Sequence, residues 1–254
     1  MNNWTGLYTI IKREMVRTFS IINQVIWPPV ITTLLYVFVF GLALGSRIKN
    51  VQGVSYAEFL IPGLIMLQVI DNAYGESSSS FFQGRFMNSI QELLIAPLSA
   101  YEIVLGFIVS GIVRSLFIAV LITVLGIVFV HTAPINIGLY LGVIVLVAIL
   151  FSSLGIIFGI LAEKFDHIAT LTTFAITPLV FVGGVFTSIQ FLPPLVQKIS
   201  LFNPMFHMID AFRYSYTGHG DVPLSLSLTV VTGLAIIFTA IALTMTARGY
   251  KLRV

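Results

Sequence analysis

Asp71, Glu76 and Arg114 interrupt stretches that are otherwise long and apolar. An ionisable side chain at membrane depth is costly unless it meets an opposite charge or water, so each marks a pair, an ion pathway or a proton relay. In an apolar segment that begins near Phe59, Asp71 lies about 18 Å from the outer edge, and Arg114 lies about 16 Å from the inner edge of the next segment. Those depths overlap. Antiparallel neighbours would let Asp71 and Arg114 neutralise one another, with Glu76 as a competing partner nearer the cytoplasm, and such a pair is structural or gates a rearrangement. A proton or ion relay is the sharper alternative and needs more carboxylates in line. Asp210 and Arg213, spaced i,i+3 in an outer segment, are expected to form a local ion pair.

Other chemistry is thin. The sequence carries no H-E-x-x-H, no G-x-S-x-G and no pair of aspartates within a span, so neither a metal site nor a catalytic centre is expected. It also lacks G-x-x-x-x-G-K-[ST] and is read as unable to hydrolyse ATP itself. His131 and His219 fall in outer turns, His167 in an inner turn and His207 in an outer helical piece; such isolated histidines are read as solvated. The chain has no cysteine, which removes disulfides, Fe–S clusters and thiol nucleophiles.

The elements that hold these residues follow from composition. Of 254 residues, 57% are hydrophobic and 9% charged, against about a quarter charged in a soluble domain. The mean hydropathy is +1.02, and the chain is read as an integral membrane protein. Uncharged windows at Thr18 to Ser46, Ser115 to Ala162, Ile168 to Gln197 and Val222 to Ala247 are long enough to cross hydrocarbon at roughly 20 residues per span. The second window breaks at His131-Thr132-Ala133-Pro134-Ile135-Asn136 into two spans. With the Asp71 segment included, spans fall at about 25–45, 57–80, 101–130, 136–161, 167–188 and 224–247. Pro28-Pro29 predicts a kink in the first.

The net charge of +3 comes from basic residues at the edges of apolar segments. That distribution orients a membrane protein and does not suggest a nucleic-acid partner. Lys12, Arg13, Arg17, Arg85, Lys164, Arg248, Lys251 and Arg253 fall on one side, and Arg47, Lys49, Lys198 and Arg213 on the other. The richer side is cytoplasmic, which places both termini there.

Residues 1–23 carry Trp4, Leu7, Tyr8, Ile11, Met15, Phe19 and Ile22 at helical spacing. Lys12, Arg13 and Arg17 lie between them, the pattern of an interfacial helix whose cations face anionic lipid. After the second span, Phe86, Ile90, Leu93 and Leu94 share one helical face with Glu92 on another, and Pro97 ends the helix before Ser99 caps the next. A cytoplasmic helix with an exposed apolar face implies a partner or packing against the chain itself. Between the last two spans, prolines 193, 194, 204 and 223 cut residues 189–222 into pieces near 195–202 and 205–216, apolar enough to re-enter the membrane. Gly155-x-x-x-Gly159 and Gly183-Gly184 permit close helix approach.

Together the basic amphipathic N-terminus, Glu92-Leu93-Leu94-Ile95-Ala96-Pro97-Leu98-Ser99, Gly183-Gly184-Val185-Phe186, Leu192-Pro193-Pro194, and Asn203-Pro204 followed by Arg213 resemble the ABC type-2 permease family. Within it, the resemblance is to YadH-like bacterial inner-membrane permeases. It implies an all-α domain over 1–254, with six transmembrane helices and a cytoplasmic tail at 248–254. Two copies would work with two copies of a separate P-loop ATP-binding subunit, which would hold ATP and Mg and leave this chain without a cofactor. Residues 86–97 would be the coupling helix, with Glu92 as polar contact and Leu93 and Leu94 as apolar anchors. Leu192 to Tyr216 would form an outer lid, including Pro193, Pro194, Asn203, Pro204 and Arg213, entered through Gly183-Gly184. Many members have a proline after the GG-x-F position; Thr187-Ser188 are found here. The resemblance favours an exporter of amphipathic, lipid-like or drug-like cargo over an ion-coupled carrier or channel that uses Asp71 and Glu76.

Overall fold

In the computed structural model, which describes residues 4–43, 51, 53–87 and 98–251, regular structure is helical apart from an isolated bridge between Val51 and Val54. Helix α1 (Trp4–Ser20) leads after Ile21 into α2 (Ile22–Ala43), which continues through Pro28 and Pro29. Ser55 and Glu58 close a capping box at the start of α3 (Tyr56–Phe86), and Ser99 and Glu102 do the same for α4 (Ala100–Val130). His131 takes a left-handed conformation to end α4, and Asn136 caps α5 (Ile137–Leu161) through the Leu139 N–H at 3.0 Å.

The next span is not uniform. It runs as α6 (Phe165–Leu171), a π-helical turn (Thr172–Ile176) and α7 (Thr177–Val182). Pro178 has no N–H to continue an α-helical ladder, and the wider turn precedes it. The helix ends at Val182, short of the expected residue 188, because Gly184 turns the chain with φ +92. After a 3-10 turn (Ile189–Phe191) come α8 (Pro194–Phe202) and α9 (Pro204–Thr217), each with a proline at its first turn. Helix α10 (Leu224–Ala247) completes the fold.

Among the described residues, five helical segments are long and apolar enough to cross a membrane: Ile22–Gly41, Ala100–Val130, Ile137–Leu161, Phe165–Val182 and Leu224–Ala247. Helix α3 is long enough at 31 residues, but Asp71, Asn72, Glu76 and its serines interrupt the apolar run. It is instead the centre of the bundle. Buried residues lie on every side of it, from Phe59 to Phe82.

Helix α4 runs antiparallel to α3, so Arg114 meets Asn72 and Ser110 meets Glu76. Helix α5 runs parallel to α3 in close contact. A Cβ at Gly155 would lie 2.8 Å from the Tyr74 carbonyl oxygen and 2.9 Å from the Ser78 nitrogen, so the Gly155-x-x-x-Gly159 face is what lets the backbones meet. At the C-terminal end of α3 the Arg85 guanidinium caps α5, donating to the carbonyls of Gly159, Ile160 and Ala162. By contrast, little of α2, α7 and α10 is buried in the single chain.

Candidate functional site

Helix α1 does not simply float at the interface. Trp4, Tyr8, Val16 and Phe19 do face outward, but Ile10, Glu14 and Thr18 form a buried stripe at i, i+4 and i+8. Thr18 meets Glu76 and Glu14 meets Ser80, so α1 lies antiparallel along α3. Glu14 and Glu76 are each 1% exposed. A carboxylate buried that deeply needs both cations and hydrogen bonds around it.

Both have them. Glu76 Oε1 accepts from Arg17 Nη2, from the Thr18 hydroxyl at 3.0 Å and from the Ser110 hydroxyl at 3.3 Å, while Oε2 accepts from Arg114 Nη1. Glu14 accepts from Arg13 at 2.8 and 3.1 Å, from Arg17 Nε at 3.1 Å and from the Ser80 hydroxyl. Arg114 Nε donates to Asn72 at 3.0 Å. The result is a chain of alternating charge from Arg13 through Glu14, Arg17 and Glu76 to Arg114, running from α1 into the bundle. Charge-assisted bonds of this kind are about twice as strong as neutral ones. Arg13 and Arg17, expected to face lipid, turn to Glu14 and Glu76 because those buried acids require counter-charges.

Asp71 is not part of this chain. Arg114 takes Glu76 and leaves Asp71 without an ion pair; Asp71 Oδ1 is closed off from solvent and has no hydrogen-bond partner. Asp71 lines a cavity of about 340 Å³ between α2, α3 and α7, with Gln24, Tyr36, Gln68, Asn72, Arg114 and Phe181 among its walls. Tyr36 and Phe181 both pack on Phe186, with ring centroids at 5.3 and 4.9 Å, and Phe40 joins them at 4.7 Å. Through Tyr36 and Phe181 this aromatic cluster forms one wall of the cavity.

That outer segment is pinned by Arg213, 1% exposed. Its guanidinium carbon sits 3.8 Å from the centroid of the Phe59 ring, and Nη2 donates to the Gly184 carbonyl at 2.7 Å. The expected Asp210–Arg213 contact is not made. Asp210 accepts the backbone N–H of Asp221 at 2.7 Å and of Val222 at 3.4 Å, so it holds the loop before α10 while Arg213 points to α3. Burial raises the Asp210 carboxyl above its usual range against those bonds, and lowers the Arg213 guanidinium to about 10 against the pull of Asp210 and Asp221. Asn203 caps α9 through the Met205 N–H at 3.0 Å and donates to the Leu179 carbonyl at 2.6 Å, which ties Pro204 and α9 to α7. Gly183 packs against Met205, whereas α8, which begins at Pro194 just after Pro193, is largely exposed.

His207 is also unlike its sequence reading. It is buried, with Nδ1 3.3 Å from the Ser227 hydroxyl and Nε2 2.9 Å from the Leu201 carbonyl. No group of three or more metal-ligating side chains lies among the described residues.

The charge chain, the cavity and the outer segment as far as α9 lie within one family match: a model for the ABC-2 type transporter covers residues 5–217. The chain belongs to the ABC-2 type transporter family. Over 253 residues it is 41% identical to the inner membrane transport permease YadH of Escherichia coli strain K12, covering 98% of each chain. It is 30% identical over 188 residues to nodulation protein J of Rhizobium leguminosarum bv. trifolii, covering 73% of this chain and 71% of that one. A further nodulation protein J, from Neorhizobium galegae, is 26% identical over 213 residues, covering 83% and 81%. As an ABC-2 chain it is the transmembrane permease subunit of its transporter and not the ATPase.

At the C-terminal end of α3 in this ABC-2 permease, Phe86 is 77% exposed and stacks on Phe82 at 6.2 Å. It edges a groove of about 560 Å³ lined also by Ser79, Gln83, Met87, Glu163, Lys164 and Phe165. Ile90, Glu92, Leu93, Leu94 and Pro97 lie outside the described residues.

Proposed function

We propose that this permease is the membrane half of an ATP-driven exporter in a bacterial inner membrane. It has six spans, α3 being the second, and both termini are cytoplasmic. Two copies form the working unit, and two copies of a separate ATP-binding cassette subunit, which carry ATP and Mg, dock against residues 86–97. The cargo is amphipathic, lipid-like or drug-like.

The observation that carries this reading is the path along α3. Phe86 is exposed at its cytoplasmic end, Glu76 anchors α1 within it, and Asp71 lines the cavity above. An ATPase does work on a membrane subunit only through contacts whose strength differs between nucleotide states. A push at residues 86–97 reaches α3 directly, and the shared Glu76 carboxylate obliges α1 and α4 to follow. The cavity then changes shape because α3 forms one of its walls. An ion-coupled carrier that uses Glu76 is less favoured, since both of its oxygens already accept from arginine.

The test is to purify the tagged chain in mild detergent, identify what accompanies it and assay ATPase activity. Stoichiometric recovery of a P-loop ATPase is expected. Glu92→Ala or Leu93→Ala should uncouple hydrolysis from transport while leaving the spans folded. A chain recovered alone, with transport driven by an ion gradient, would overturn the reading.

A further inference from the structure

Charge is matched along the buried chain and unmatched beside it. Glu14 has Arg13 and Arg17, and Glu76 has Arg17 and Arg114. Asp71 has no ion pair, and its buried Oδ1 has no hydrogen-bond donor. Arg114 shares the cavity wall, but its Nε and Nη1 are already engaged by Asn72 and Glu76. An anion placed at low dielectric without a counter-charge is costly, and a cation entering the cavity relieves that cost.

The rest of the wall suits such a guest. Gln24 and Gln68 offer neutral acceptors, Tyr36 and Phe181 offer ring faces, and Val25, Pro28, Pro29 and Leu67 offer apolar surface. About 340 Å³ falls in the range of small-molecule sites. The α2 residues in the wall begin at Gln24, next to the cytoplasmic end of that helix, so in the proposed topology the cavity fills from the cytoplasmic leaflet. Phe40 and Phe186 pack behind Phe181 and back that wall.

We propose that this cavity is a binding site for an organic cation, with Asp71 as its counter-ion and Tyr36 and Phe181 as its aromatic walls. The inference rests on the exporter reading and adds the charge class of the cargo.

The experiment uses two ions of nearly the same shape and opposite charge. The purified full chain in dodecyl maltoside is dialysed to equilibrium against labelled tetraphenylphosphonium and, separately, tetraphenylborate. Saturable retention of the phosphonium and not of the borate is expected. Asp71→Asn, nearly isosteric, should weaken phosphonium binding at least tenfold. Thr32→Lys, which adds a fixed cation to the same wall, should abolish it, and this second variant decides the matter if Asp71→Asn does not fold. Equal retention of both ions, no saturable retention of either, or unchanged phosphonium affinity in the folded variants overturns the proposal. Added phosphatidylethanolamine should leave the phosphonium bound; displacement would assign the site to a lipid amine and overturn its role in cargo recognition. Binding is read here without an ATPase, so a failure of this test and a failure of the exporter reading are told apart.

Discussion

Arg17 and Arg114 hold opposite oxygens of one carboxylate, that of Glu76. One arginine comes from α1 and the other from the middle of α4, so a single acid on α3 joins three helices. This makes Glu76 the residue whose loss has the widest effect.

Glu76→Ala leaves Arg17 and Arg114, whose side chains are 27% and 17% exposed, without their shared anion. Breaking a fully buried pair costs about 3–5 kcal/mol and an exposed one about 0–1 kcal/mol, so for these partly buried cations the thermal midpoint of the solubilised chain should fall by an intermediate amount. Glu76→Gln keeps an acceptor and should fall less. An unchanged midpoint for Glu76→Ala would show that α1 is not held by this contact.

Arg17→Ala should free α1 without unfolding the bundle. Trypsin should then cut after Lys12, a site kept in every variant, several-fold faster than in the parent chain. Arg13→Ala is the control: its side chain is 40% exposed, and Glu14 keeps Arg17 as its counter-charge. Equal cleavage rates for the parent chain and Arg17→Ala would exclude the docking role.

Gly155→Ala places a methyl group against the Tyr74 carbonyl and the Ser78 nitrogen, and should destabilise the chain by about 1–3 kcal/mol, the usual cost of overpacking. Gly142 lies on the same helix with nothing within 4 Å of an added Cβ. Gly142→Ala should be neutral or stabilising by up to about 1 kcal/mol. Paired melting curves test the difference, and equal shifts would refute the close α3–α5 contact.

Arg213→Lys removes the planar face that lies on the Phe59 ring while keeping the charge. The loss should be about 1–2 kcal/mol, because lysine cannot stack as arginine does. Faster proteolysis in the outer segment, with the spans intact, is the expected readout. A variant as resistant as the parent would place the anchor of this segment elsewhere.

Much of this architecture is legible in the sequence. The uncharged windows fall on α2, α4, α5, α7 and α10, the His131 to Asn136 turn separates two helices, and the prolines at 194 and 204 open α8 and α9. The buried pairing is less legible for a geometric reason. Depth along the helix was readable, but rotation about its axis chose the partner. Asn72 and Glu76, four residues apart, share the face that meets Ser110 and Arg114, whereas Asp71 is turned by about 100° to the cavity. Glu14 was missed although a signal was present: a lone acid among arginines, at i, i+4 and i+8 with Ile10 and Thr18. Hydrophobic periodicity marks which residues face outward and is silent on which polar residues face in. Asp210 and Arg213 fit local pairing by spacing alone, yet each found a tertiary partner that i,i+3 geometry does not reveal.

Arg85 has a mechanical consequence. By donating to three carbonyls at the end of α5 it stitches the inner ends of two parallel helices, α3 and α5, which are already in backbone contact through Gly155 and Gly159. Together with α1 and α4, gathered on Glu76, these helices make one lever. The other walls of the cavity, α2 and α7, have no comparable stitch among the described residues, and the span ending in α7 contains a π-turn. A displacement at the end of α3 is therefore carried by the lever as a whole, and the looser side is the surface it moves against.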